Sequence, residues 1–104
     1  MSEFDLITFV VQRGKMDKVI KEVLNAGAAG ATMFFARGTG VRERLKLLGT
    51  LIQPEKEVAF IITKKEDTER IFDVIVKAAN LEKPGQGIAF IQPITKVVGY
   101  IEVK

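Results

Sequence analysis

The feature that most constrains this chain is a set of strands that are apolar on both faces. Side chains of a strand alternate between two faces, so a sheet with one wet face should alternate apolar with polar residues. In Phe4–Gln12, Ile7, Phe9 and Val11 point one way while Leu6 and Val10 point the other. In residues 57–63, Val58, Phe60 and Ile62 oppose Ala59 and Ile61. In residues 87–91, Ile88 and Phe90 oppose Ala89 and Ile91. Residues 31–37, ATMFFAR, add another strand. Such a sheet must be covered twice.

Only two stretches carry helical spacing. In Met16–Asn25, Met16, Val19, Ile20, Val23 and Leu24 fall on one face, with Asp17, Lys18, Lys21 and Glu22 opposite, and Gly27 stops the helix. Ile71, Phe72, Ile75 and Ala79 repeat the spacing in a second helix, for which Asp67 or Thr68 is the expected cap. Lys64-Lys65-Glu66-Asp67 reads as a solvated turn before it. The order is βαβ, a loop, then βαβ. Two such units joined antiparallel make an α+β, ferredoxin-like βαββαβ sandwich, a single domain over residues 1–104. Right-handed crossovers put both helices on one face of the sheet. No third helix remains for the other face, and an apolar face of that size exceeds what monomers leave in water. A homo-oligomer packed through its sheets is the expected solution.

Composition narrows the function. The chain has no cysteine and no histidine, which removes disulfides, thiolate chemistry and the commonest metal ligand and general base. The acids Glu43, Glu55, Glu57, Asp67 and Asp73 are scattered, and no nucleophile, base and orienting group fall together. No enzyme is expected. A net charge of +3, one Tyr and no Trp give little basis for nucleic-acid binding. No run approaches a membrane span and the N-terminus MSEFDL has no signal core, so a cytoplasmic protein without membrane insertion is expected.

Two Gly-x-Gly turns stand at strand ends: Arg37-Gly38-Thr39-Gly40 after the second strand and Pro84-Gly85-Gln86-Gly87 before the fourth. Glycine there permits positive φ and close approach of a ligand to backbone. With MDKVIKEVLNAGAAGATMFFARGTG, Ile52-Gln53-Pro54-Glu55-Lys56 and KPGQGIAFIQPITKVVGY, these turns give the chain its likeness to a family. It resembles, over nearly its whole length, the PII (nitrogen-regulatory) signal-transduction proteins.

The resemblance implies a PII-like homotrimer of ferredoxin-like subunits that binds an adenine nucleotide in clefts between subunits. Val10, Thr32 and Ile61 would line the base and sugar pocket. Gly38, Thr39 and Gly40 would close on the nucleotide from one side, with Gly85, Gln86 and Gly87 on the other. Strand edges and glycine turns offer backbone N–H and C=O groups to a flat base and to phosphate oxygens. The family's basic phosphate-binding positions are Val41, Ile88, Gly99 and Ile101 here, and the glutamine that helps hold magnesium is Arg42. The adenine nucleotide is therefore expected to bind weakly, with no metal.

Residues 41–54 correspond to the family's effector loop, several residues shorter. They combine Arg42, Arg44 and Lys46 with Leu45, Leu47, Leu48, Leu51 and Ile52. Leucines are costly to leave in water, so the loop is expected to dock on a partner or on its own trimer, and the resemblance implies a protein partner, a transporter or an enzyme. Two functional classes remain open. One is a regulatory module that binds a small ligand and reports through the loop. The other is a ligand-binding or structural trimer on the same scaffold with a vestigial nucleotide site.

Overall fold

A computed structural model describes residues 3–38 and 55–100. Within them the order is β1 (Phe4–Gln12), α1 (Met16–Asn25), β2 (Thr32–Arg37), β3 (Glu55–Lys64), α2 (Lys65–Ala78) and β4 (Gly87–Ile94). The four strands form one antiparallel sheet in the order β2-β3-β1-β4. This is the ferredoxin-like βαββαβ arrangement.

Register sorts the apolar residues into two layers. Ile7 pairs with Ile61 on one side and Ile91 on the other, and Phe9 pairs likewise with Ala59 and Ala89. These odd-numbered positions form the core with Met16, Val19 and Val23 of α1 and Ile71 and Ile75 of α2. Both helices therefore cover the same face. Each ends in a Schellman motif. In α1 Gly27, with φ of 102°, donates to Leu24 while Ala28 donates to Val23; in α2 Asn80, with φ of 58°, donates to Lys77 while Leu81 donates to Val76. Arg70 of α2 also donates to the carbonyl of Ala26, satisfying an otherwise free helix-end acceptor.

The start of α2 corrects the sequence reading. Lys64-Lys65-Glu66-Asp67 is not a turn: Lys64 ends β3 and caps the helix, whose first turn is the other three residues. Neither Asp67 nor Thr68 is the cap. Thr68 is instead buried one turn into the helix, where its hydroxyl donates to Asp5 Oδ2 at 2.7 Å. A hydroxyl has one proton, so the 2.7 Å contact between the Thr63 and Thr68 oxygens assigns the donor there to Thr63. A buried chain Thr63–Thr68–Asp5 thus ties β3, α2 and β1 together, and Lys65 Nζ approaches the outer carboxylate oxygen at 3.9 Å.

The even-numbered positions form the second face, which the helices do not cover. Phe60, Phe90 and Phe34 are 39%, 41% and 44% exposed, and Ile88 is 58% exposed. The Phe34 and Phe60 rings meet with centroids 5.4 Å apart. Part of this face is covered by the chain itself. After β4 the segment 95–100 adds no further strand; it turns back, and Tyr100 packs on Phe4 with centroids 4.9 Å apart. Most of the apolar face remains open to another surface.

Candidate functional site

The expected site residues fall into separate groups on this scaffold. One group gathers at the end of the sheet where β1 and β2 finish and β3 and β4 begin. Val10, half-buried on the open face, pairs with Val58 and Ile88. Gly38 follows β2, and a Cβ at that position would lie 3.8 Å from the Lys56 side chain. Gly85, with φ of 82°, makes the turn before β4, followed by Gln86 and Gly87. Thr39 and Gly40 lie outside the described residues, as do the expected loop 41–54 and Ile101.

A hydrogen-bonded link that the sequence reading did not include joins the two glycine turns. Gln12, the last residue of β1, donates from Nε2 to the carbonyl of Gly85 at 3.1 Å. Its Oε1 accepts from Lys56 Nζ at 3.1 Å, and Lys56 is the side chain beside Gly38. Only one orientation of the carboxamide satisfies both neighbours, because a carbonyl can only accept and an ammonium can only donate. Around this link the turn after β1 is clasped to the start of β3. Arg13 pairs with Glu55 at 2.7 Å, and Glu57 accepts from the Gly14 N–H at 2.7 Å. Two of the acids that are scattered in the sequence, Glu55 and Glu57, are thus engaged.

Thr32 lies elsewhere. It opens β2 on the open face, opposite Phe60, and lies six residue steps from Gly38, about 20 Å of extended chain. There it borders a cleft of about 500 Å³ with Leu6, Phe60, Ile62, Val97 and Tyr100. Gly99 also lines that cleft. Its walls are mostly hydrocarbon, with the hydroxyls of Thr32 and Tyr100 as side-chain polar groups.

Ile61 belongs to neither group. It is 1% exposed, pairs with Ile7 and sits in the core beneath the helices. Its neighbours Phe60 and Ile62 face the open side instead. Within this protomer the Ile61 side chain cannot line a ligand pocket; its backbone alone is near the open face. Among the described residues no group of three carboxylates converges as metal ligands would. No helix among them is long and apolar enough to cross a membrane.

These features define a ferredoxin-like subunit with an open apolar sheet face, glycine turns at one end of that sheet and the Thr32 cleft away from them. Residues 4–101 match the family model for nitrogen regulatory protein P-II, and the chain belongs to that family. It is 28% identical over 93 residues, covering 88% of each chain, to the nitrogen fixation nifHD region GlnB-like protein 1 of Methanothermococcus thermolithotrophicus. Its fold is similar to that of Arabidopsis thaliana PII in a citrate-bound crystal structure, with a TM-score of 0.71 at 22% identity. That match covers 89% of this chain and 78% of the plant protein.

Proposed function

We propose that this chain is a PII-type regulatory subunit that binds a small ligand, most simply an adenine nucleotide, in clefts between the subunits of a homotrimer. The observation that carries the reading is the separation of the half-sites. Thr32 and the glycine turns are too far apart to share one small ligand within a protomer. A head-to-tail contact would bring the Thr32 cleft of one subunit against the glycine turns of the next, and such heterologous contacts close into rings. The open face around Phe34, Phe60 and Phe90 supplies the apolar surface for that ring.

Ligand contacts would come from Val10, Thr32 and the backbones of Gly38, Thr39, Gly40, Gly85, Gln86 and Gly87. The regulated partner, a transporter or an enzyme, would engage residues 41–54. Thermal shift tests the ligand, because one that binds only the folded state raises its melting temperature. ATP, ADP, AMP and citrate are the first probes. A rise with the adenine nucleotides is expected. No rise with any nucleotide would leave the vestigial-site trimer as the reading.

A further inference from the structure

We infer that Gln12 is the positioning residue of the candidate site, holding the turn at residues 84–87 in fixed relation to Lys56 and Gly38. The inference rests on the ligand site proposed above but concerns a residue outside its contact set. Gln12 sits where the apolar strand β1 ends, half-buried, with its carboxamide used in two directions. One arm reaches 73 residues along the chain to the Gly85 carbonyl, and the other reaches 44 residues to Lys56.

What each arm restrains follows from the backbone. Gly85 adopts positive φ, so the turn has a freedom that no Cβ limits, and a hydrogen bond to its carbonyl restricts the peptide plane. That plane carries the N–H of Gln86, which closes the turn by donating to the Lys83 carbonyl at 3.4 Å, so the bond from Gln12 steadies the shape of the whole turn that a ligand would meet. The Lys56 arm acts on the other turn. Lys56 is 8% exposed, pairs with Ala36 of β2, and its stem passes beside Gly38, so Gln12 is anchored where β2 ends against β3. Displacing the turn at 84–87 pulls on the side chain that Lys56 holds beside Gly38. Binding at residues 84–87 and the geometry at Gly38 and the start of β3 are therefore linked through one side chain.

Three full-length variants separate the arms. Gln12→Ala removes both, Gln12→Glu keeps an acceptor for Lys56 but cannot donate to Gly85, and Lys56→Met removes the other partner. Amide exchange is the readout that a merely structural role would not sort by arm. Gln12→Ala should speed exchange at least tenfold at the amides of both 85–88 and 55–57, while Ile7 and Phe9 in mid-strand stay protected. Gln12→Glu should affect 85–88 alone, and Lys56→Met chiefly 55–57. Uniform loss of protection, or no change at 85–88 in Gln12→Ala, would overturn the inference. With ADP as probe, calorimetry should show a roughly tenfold weaker affinity for Gln12→Ala and Gln12→Glu; unchanged affinity would overturn the positioning role. If the unaltered protein does not bind ADP, the nucleotide reading fails, while the exchange pattern still decides whether Gln12 holds the turn.

Discussion

Gly87 passes so close to the carbonyl oxygen of Val10 that a Cβ at residue 87 would occupy the same space. Its φ of 148° is also one that side-chain-bearing residues rarely adopt. The second glycine of this turn is therefore required by the pairing of β1 with β4, whatever ligand the turn meets. Gly87→Ala should destabilise the protein by about 2–4 kcal/mol, combining strain with forced displacement of β4. Gly14→Ala is the control: φ is 90°, nothing lies within 4 Å, and only the conformational cost of about 1–2 kcal/mol applies. Denaturant midpoints at matched concentration measure both. Equal losses would show that the β1 carbonyl yields without cost.

The buried hydroxyl chain gives a second prediction. Thr68→Val keeps the shape but withdraws the proton that Asp5 accepts. A hydrogen bond to a charged group contributes about 1.5–3 kcal/mol, so a loss of that size is expected. Thr63→Val removes a bond between two hydroxyls and should cost about 1 kcal/mol. Because Thr68 serves both bonds, the double variant should cost less than the two losses added. Strict additivity in urea melts would mean that the chain does not act as a unit.

Much of this fold was legible because period is a robust signal. Strand β1 and helix α1 have the ranges read from their apolar spacing. Strand β3 runs further at both ends because Lys56 and Lys64 extend the pairing with Gln12 and Phe4, which composition hides. The start of α2 was misread because Asp67 and Thr68 are good caps in isolation, while here Thr68 turns inward to Asp5 and Asp67 pairs with Arg70 at 3.1 Å. Ile61 was assigned to the pocket by the family resemblance, whereas its alternation with Phe60 and Ile62 already put its side chain on the helix-covered face. In a strand apolar on both faces, a step of one residue reverses the side chain without changing the pattern. The glycine turns were visible as motifs. The Gln12 link was not, since its partners meet only through sheet register.

Assembly is the third prediction. The protein should be a trimer in solution, closed around the face that carries Phe34, Phe60, Ile88 and Phe90. Phe90→Glu places a charge in the middle of that face and should shift the population to monomers at micromolar concentration, with the helix-side core intact. Light scattering with circular dichroism reads both. A monomeric unaltered protein would remove the assembly argument. A dimer would leave the need for a second cover standing and remove the three-fold ring.

The loop outside the described residues gives a fourth. Deleting residues 45–50 should leave assembly stability nearly unchanged, because a change in connection length alters closure entropy only slightly. Binding of the partner protein should be lost. Unfolding of the deletion variant would show that the leucines there belong to the core.

The last prediction concerns ligand selectivity and rests on Ile88. This residue is exposed on the open face, directly opposite Val10 and one position beyond the Gly85–Gly87 turn. A lysine there would project from the same edge as the candidate base pocket, with its ammonium free to reach phosphate oxygens. In the unaltered protein the residues at 88 and 99 offer no charge, and the backbone of the glycine turns is left to hold an anion. ATP, ADP and AMP should then bind with affinities within about tenfold of one another, because each missing charge-assisted bond forfeits about 1.5–3 kcal/mol of the preference for extra phosphates. Ile88→Lys restores one such bond and should raise ATP affinity about 10- to 100-fold while leaving AMP nearly unchanged. Calorimetry on the two proteins decides the matter. Equal gains for ATP and AMP would mean that position 88 does not face the outer phosphates. Strong ATP preference in the unaltered protein would mean that another basic group, Lys56 or one supplied by the adjacent subunit, already fills the role.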